Sequence, residues 1–399
     1  MPIGPIIRAM RHNRMRFALI IIEIAMTLAI VTNCVNMILD ERKQMLRESG
    51  FDDQHLLAVG YSAFGKEFED DSFVRNQAYA DLRAIESIPG VKAAAMTYFL
   101  PWQGGGSSDN FIVEGRRDKV QAQLYGATEG IFETLGVQIV AGRGFVRSDY
   151  PPPNEPTTKC VISLPLAKLF FGDANPIGKI ITTGYGERPR EVIGVIGKFY
   201  NPYSWNIGEY VLFTPAVPGG SDGASFLVRA EPGAMAAVAA AIEPRLLQVN
   251  GNRVFRSQTI GEIKDNFFSG GRLVVTAMTA VIVVLIFVTA LGIVGITSLS
   301  VSERTKQIGT RRALGATKAD ILKHFLAENW IVTTAGLVLG VAATYGLNYL
   351  LVSNFTDVKM PWYLVGVGMV LLWLNGIIAT IPPALRAARV PPAIATRSV

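Results

Sequence analysis

"LVVTAMTAVIVVLIFVTALGIVGITSL", Leu273 to Leu299, runs 27 residues without a charge. Crossing a hydrocarbon core roughly 30 Å thick takes about 20 consecutive apolar residues in a helix, and this stretch exceeds that. Three others qualify: "FALIIIEIAMTLAIVTNCVNMIL" (Phe17 to Leu39), interrupted by Glu23 and a few polar side chains, "WIVTTAGLVLGVAATYGLNYLLV" (Trp330 to Val352) and "PWYLVGVGMVLLWLNGIIATI" (Pro361 to Ile381). A core helix of a water-soluble protein is rarely so long and so apolar, so the pattern predicts a polytopic α-helical membrane protein with four transmembrane helices. The first run is longer than the apolar centre of a signal peptide, about 7 to 15 residues, and no small-x-small cleavage site follows it. Cys34 follows Asn33, where a lipoprotein acceptor would follow a small residue. A retained anchor is therefore expected.

The excess of basic residues, net +6 for the chain, sits beside these spans. Arg8, Arg11, Arg14 and Arg16 precede the first. Arg304, Lys306, Arg311, Arg312, Lys318 and Lys323 lie between the second and third, against Glu303, Asp320 and Glu328; Arg386, Arg389 and Arg397 follow the fourth. These flanks hold 13 basic and 3 acidic residues, whereas Asp40 to Arg272 holds 24 basic and 27 acidic. Because Lys and Arg accumulate on the cytoplasmic side, both termini and the 302–328 loop are expected inside and the long section outside. The basic isoelectric point is thus a topology signal and points to membrane lipid, with no nucleic-acid partner. The expected organisation is a basic segment and first span (1–40), an outer domain (41–271) and a three-span region (272–399).

Two strand–helix–strand units flank the outer section. "HLLAVGY" (His55 to Tyr61), "SFVRNQAYADLRAIESI" (Ser72 to Ile88) and "VKAAAMTYF" (Val91 to Phe99) make the first, with Pro89 and Gly90 ending its helix. "SFLVRA" (Ser225 to Ala230), "AMAAVAAAIEPRLLQV" (Ala234 to Val249) and "RVFRSQ" (Arg253 to Gln258) make the second. Between them, about 104–224 is richer in Gly and Pro, with short strand-like runs such as "CVISL" (Cys160 to Leu164) and "EVIGVIGKF" (Glu191 to Phe199). The expected architecture is a split, ferredoxin-like α+β unit with a mainly β inserted lobe. With only Cys34 and Cys160, one in a span and one outside, an intrachain disulfide is not expected, and the domain relies on its own core.

Few residues carry chemistry. "GDANPIGKI" (Gly172 to Ile180) imitates a phosphate loop, but five residues separate its glycines and Ile180 follows the lysine where Ser or Thr would hold magnesium. A glycine-rich turn is the better reading. His12, His55 and His324 are too scattered to share a metal or a catalytic site. "EFEDD" (Glu67 to Asp71) reads as a solvated loop. No enzyme activity, cofactor or metal is expected. Glu23 is the one ionisable residue well inside a span; such groups face a bundle interior or a polar partner, and a structural hydrogen bond to a neighbouring helix is favoured over a functional relay. Gly336 and Gly340, spaced G-x-x-x-G, permit close helix packing within or between subunits.

The remaining question is the charged stretch "SVSERTKQIGTRRALGATKADILKHF", Ser300 to Phe325, set between two spans. Its helical pattern is expected to turn at Gly309 and Gly315, after which Ile321, Leu322, Phe325 and Leu326 form a face leading into the third span. A short helix held between two spans moves both when pushed. The order Glu303-Arg304-Thr305-x-x-Ile308-Gly309-x-Arg311-Arg312-Ala313-Leu314-Gly315-Ala316 resembles the inner loop of FtsX-like permeases, in particular the MacB-like branch of ABC transporters. "RHNRMRFAL" (Arg11 to Leu19), "IPGV" (Ile88 to Val91), "LGVQIVAGRGF" (Leu135 to Phe145), "LAKLFFGDANPIGK" (Leu166 to Lys179) and "PALRAARVPPAIA" (Pro383 to Ala395) extend the resemblance over most of the chain.

That resemblance implies a porter-like periplasmic domain with an inserted lobe, a dimer, and a bacterial inner-membrane location. It implies that Glu303 to Ala316 is the site docked on a nucleotide-binding subunit. It also implies mechanotransmission, in which ATP-driven dimerisation inside moves the periplasmic domains outside. Neither a valid phosphate loop nor an LSGGQ-like segment occurs, and 16 residues precede the first span. A separate ABC ATPase is therefore the expected partner, with a second permease copy or a sister permease, and with a periplasmic adaptor and outer-membrane duct if the role is efflux. Regulation of envelope enzymes, and extraction of lipoproteins, are the alternatives.

Overall fold

A computed structural model describes residues 14–103, 106–113, 118–152, 155–183, 188–202, 208–217, 225–354 and 358–391. Arg8, Arg11, His12 and Arg397, the limits of the inserted lobe at 104 and 224, and the outer ends of "RHNRMRFAL" and "PALRAARVPPAIA" lie outside those residues.

The chain opens with helix α1 (Arg14–Met45) and enters an outer region of β1 (Leu56–Ala63), α2 (Asp71–Glu86), β2 (Val91–Thr97), β3 (Ser107–Val113), β4 (Val120–Ala127), α3 (Ile131–Leu135) and β5 (Ile139–Gly142). It continues through β6 (Lys159–Ser163), α4 (Leu164–Phe171), β7 (Ile180–Thr183), β8 (Arg190–Ile196), β9 (Val211–Pro215), β10 (Ser225–Ala230), α5 (Met235–Val249), β11 (Arg253–Thr259) and α6 (Ile260–Phe267). Four helices follow: α7 (Ser269–Glu303), α8 (Thr305–Ala313), α9 (Lys318–Asn354) and α10 (Trp362–Ala388). Two compact units result, one of Arg47–Gly270 and the other of α1 with α7 to α10. The helices α1, α7, α9 and α10 are each long and apolar enough to cross a membrane.

In the outer unit the two strand–helix–strand segments interleave. Their strands pair antiparallel in the order β11–β1–β10–β2, the order of a ferredoxin-like sheet. Alternate residues point to one face, so Leu57 and Val59 of β1, Met96 of β2 and Phe226 and Val228 of β10 meet Ile85 of α2 and Val238, Ile242 and Leu246 of α5 in one core. The α2 helix starts where the Asp70 carboxylate accepts from the Ser72 amide at 3.0 Å, satisfying one of the donors left open at a helix start. Beneath it, the Arg253 guanidinium makes a bidentate pair with Asp81 at 2.5 and 2.9 Å, both side chains shut off from solvent. Gln77 donates to Asp81, and the Leu246 and Asn250 carbonyls accept from Arg253.

The section between these units closes on itself. Strands β4, β3, β7, β8 and β6 pair in succession, β6 pairs β9, and β9 returns in parallel to β4, with Gln123 opposite Val211 and Gly126 opposite Thr214. This is a six-stranded barrel of mixed direction, β6 and β8 also being parallel. A single pair, Thr97 opposite Ala127, joins it to the four-stranded sheet. Its core is Phe111, Ile162, Ile181, Val192 and Leu212, with Leu166 and Phe170 of α4. Closure leaves few unpaired strand edges. Cys160 lies in this core, and burial pushes its thiol up to about 12, far from the thiolate range.

In the helical unit, α1 packs against both α9 and α10, which also pack on each other. Small residues let the backbones approach: a Cβ on Gly336 would fall 2.8 Å from Ile24, and one on Gly340 would fall 3.1 Å from the Ala25 Cα. Gly368 of α10 is pressed as closely on Thr32. Polar side chains join the helices as well: Thr27 and Thr289 share a hydrogen bond at 2.9 Å, and Asn348 donates to Asn33 at 3.2 Å and to the Val358 carbonyl at 3.1 Å.

Candidate functional site

The segment from Glu303 to Ala316 is a short helix with a break at each end. The α7 helix stops at Glu303; Arg304 takes a non-helical conformation and starts α8. Gly309 does not make the turn expected of it. It lies buried inside α8, flanked by the bonds Ile308 N to Arg304 O (2.9 Å) and Leu314 N to Thr310 O (3.0 Å). The helix tolerates a glycine, at a cost near 1 kcal/mol relative to alanine, because the neighbouring Ile308 anchors it. The turn falls only at Gly315, whose φ of +99° suits a residue without a Cβ. There the Ala316 amide donates to the Arg311 carbonyl at 3.0 Å. Thr317 and Asp320 then cap α9 reciprocally, Asp320 N to Thr317 Oγ1 at 3.2 Å and Thr317 N to Asp320 Oδ2 at 3.0 Å.

One face of α8 is fixed to α9 and α10, and the adjoining end of α7 is paired with α1. Ile308 packs with Ile321 and Phe325 of α9 and Ala384, Ala387 and Ala388 of α10, with Ala316 and Leu322 at the edge of the cluster. Arg304 pairs with the buried Glu328 of α9 at 3.0 Å, Glu303 with Arg16 of α1 at 2.6 Å, and Arg312 donates to the Val390 carbonyl at 2.5 Å. Thr305 bonds back to the Val301 carbonyl at 2.9 Å, tying α8 to the end of α7. The other face is free: Lys306, Gln307, Thr310, Arg311 and Ala313 are exposed, and Leu314 is 83% exposed. The two arginines therefore have different situations, Arg311 facing outward and Arg312 holding the chain end of α10.

The other residues singled out from sequence lie elsewhere. Gly336 and Gly340 pack α9 on α1 within the one chain. Glu23 reaches α7, where a Cβ on Gly292 would fall 2.7 Å from its Oε2, yet Oε1 is buried with no hydrogen-bond partner among the described residues. The expected interhelical hydrogen bond is not made there, because the position opposite is a glycine without a donor side chain. Gly172 and Gly178 both take positive φ after α4, as turns do. Asp70 of the acidic run is the α2 cap.

Sequence reasoning missed Glu328 and Arg16 as partners of the loop. The Thr317-x-x-Asp320 pattern is a local capping signal and was legible; the Arg304–Glu328 and Arg16–Glu303 pairs join residues on different helices and leave no such signal.

Comparison with known proteins completes the picture. Residues 17–245 match the family model of the MacB-like periplasmic core domain, and residues 279–392 that of the FtsX-like permease C-terminal region. The macrolide export ATP-binding/permease protein MacB of Chromobacterium violaceum is 26% identical over 393 residues, covering 96% of this chain and 58% of that protein. The ABC transporter permease YknZ of Bacillus subtilis is 26% identical over 324 residues, covering 79% of this chain and 78% of its own length. Among solved structures, the periplasmic region of MacB from Actinobacillus actinomycetemcomitans aligns with a TM-score of 0.37 at 19% identity, covering 56% of this chain and 97% of that one. The chain spans somewhat over half the length of the MacB protein it matches. With a four-span helical unit, an α+β outer domain and both family signatures in order, the chain belongs to the ABC transporter permeases that join a MacB-like periplasmic core to an FtsX-like permease domain.

Proposed function

We propose that this chain is the membrane subunit of a MacB-like exporter, in which a separate ABC ATPase docks on the Glu303 to Ala316 segment in the cytoplasm. ATP hydrolysis by that partner moves the periplasmic domain, and the chain itself contributes no catalysis. A second copy or a sister permease completes the pair in the bacterial inner membrane, and a periplasmic adaptor and outer-membrane duct receive the cargo.

The observation that supports this reading most is the two-sided α8. Its inner face is anchored to α9 and the end of α10 through Ile308, Arg304 and Arg312, and the adjoining end of α7 is paired with α1 through Glu303 and Arg16, so a push on it is passed to those helices. Its outer face offers Lys306 and Arg311, two exposed cations with no partner among the described residues, and an exposed Leu314. Burying a leucine on a partner contributes about 1.5–3 kcal/mol. Arg311 bonds nothing within the described residues, so reversing its charge leaves the fold intact and removes a docking contact.

The test is to isolate the tagged protein from native membranes, identify the ATPase that accompanies it, and compare Arg311→Glu. Recovery of the ATPase and ATP-dependent export are expected to fall at least tenfold, with unchanged insertion and thermal stability. Full ATPase recovery and export by the variant would overturn the docking assignment.

A further inference from the structure

The junction of α7 and α8 is held by an ion pair that is only half made. Glu328 of α9 is 6% exposed and accepts one hydrogen bond from Arg304, Nη1 to Oε2 at 3.0 Å. Its Oε1 has no hydrogen-bond partner among the described residues and is shut off from solvent, so water does not satisfy it either. Arg304 has five N–H donors and uses one of them on this contact. A guanidinium and a carboxylate match each other with two parallel hydrogen bonds, and a buried pair offsets its lost hydration only when the remaining lone pairs are satisfied too. The outer unit shows the complete arrangement, where Arg253 bonds both oxygens of Asp81.

The junction has room to complete the pair. A cavity of about 30 Å³ lies beside Glu328, with Thr297 and Ser300 of α7 on one side and Phe325 and Asn329 of α9 on the other. The α7 helix is loosely held there: its buried residues are Thr289 and Ile293, both well before Arg304. Arg304 itself is non-helical, with φ −103° and ψ 11°, so the chain bends between the two helices. The adjoining Arg16–Glu303 pair lies at the surface with both side chains nearly half exposed, and such a pair follows a small shift of its helix at little cost.

We infer that this junction is a latch with a second, closed position, in which the end of α7 moves toward α9, the cavity is taken up and Arg304 bonds both oxygens of Glu328. Helix shifts of roughly 1–2 Å are the usual scale of such switches. The arrangement described above is the open position. Arg304 and Glu328 are then positioning residues: the second hydrogen bond favours the closed position and sets where α7 stops when α8 is pushed. The closed position exists without an ATPase, whereas its use in export rests on the docking proposed for α8.

The test uses the full chain in nanodiscs with Cys34→Ala, Cys160 being buried, and spin labels at Ser302→Cys of α7 and Lys323→Cys of α9, both exposed positions. The isolated chain is expected to show two distance components, the minor one shorter. Arg304→Lys keeps the charge but loses the two-pronged fork, and Glu328→Gln keeps a single acceptor. Each should cut the shorter component roughly fivefold at an unchanged thermal midpoint, and if one misfolds the other carries the comparison. Adding the ATPase recovered with the chain, together with a non-hydrolysable ATP analogue, should make the shorter component the major one. In that complex Glu328→Gln should leave ATPase recovery unchanged and lower export per ATP hydrolysed roughly fivefold. Failure to recover any ATPase would sink the docking reading, and the distances in the isolated chain would still decide the latch. A single component in the isolated chain, or a shorter component that both variants retain, would overturn the latch; full export per ATP by Glu328→Gln would overturn its role in export.

Discussion

The core beneath the outer sheet is made of Leu57, Ile85, Met96, Phe226 and Leu246, whereas the close contacts of the helical unit run through Gly336, Gly340, Gly368, Thr27 and Asn33. Both regions bury large apolar side chains, the helical unit in a cluster that includes Phe17, Ile24, Leu28, Leu337 and Leu372, but only the helical unit also turns many of them outward, among them Val283, Phe287, Leu339 and Leu371. In water, burying apolar surface contributes about 25 cal/mol per Å², so large side chains go inside. In lipid the surroundings are as apolar as leucine and burial gains little; helices associate through close backbone approach and hydrogen bonds, which small and polar residues permit. The α7 helix is the extreme case, with only Thr289 and Ile293 buried among its 35 residues, a surface that water would not tolerate and lipid accepts.

Three changes would break or sharpen this contrast. The largest effect belongs to the outer unit. Arg253→Met strands the Asp81 carboxylate in a dry core, and removal of one partner of a buried pair costs about 3–5 kcal/mol. Hydrogen exchange of the β1 and β11 amides should accelerate accordingly, and pairing the change with Asp81→Leu should recover most of the loss. An unchanged exchange rate in the single variant would mean that the pair is not what holds this core.

In the helical unit the matching change adds volume. Gly340→Leu drives a side chain into the Ala25 backbone and Leu28, with an overpacking cost of about 1–3 kcal/mol, read as a lower thermal midpoint in nanodiscs. A neutral outcome would show that α1 and α9 separate freely, contrary to the small-residue account.

The smallest effect concerns acid. Arg143 holds the Asp149 carboxyl below the usual carboxylate range through hydrogen bonds at 2.6 and 2.8 Å, and the Val146 amide adds another. The folded value is depressed, so the stability Asp149 contributes is complete above its unfolded value of about 3.9 and is lost as pH falls through the folded one. The loop around 143–150 should loosen below about pH 4, as measured by limited proteolysis. Asp149→Asn should already be loose at neutral pH and show a flatter acid profile. The contacts of Thr27 and Asn33 in the helical unit carry no titrating group and should not respond.

Much of this could be read along the chain. The helix over Asp71–Glu86 and the strands Leu56–Ala63, Val91–Thr97 and Ser225–Ala230 fall within a few residues of expectation, because their periodicity and the Pro89–Gly90 stop are local. Gly309 was misread for the same reason: a glycine is a local breaker, and the burial of Ile308 against α9 and α10 is not local. Glu23 was assigned a partner that the facing helix does not supply, since nothing in its own segment says that Gly292 lies opposite.

The sequence by itself determined four apolar helices, two strand–helix–strand units and the permease family, since hydrophobic runs, period-2 alternation and motif order are properties of neighbouring residues. Tertiary structure alone decided that β9 closes a barrel on β4, and that Arg16 meets Glu303 and Arg253 meets Asp81 at separations of 287 and 172 residues. Each depends on which distant backbones come to share a face, and no local pattern encodes that.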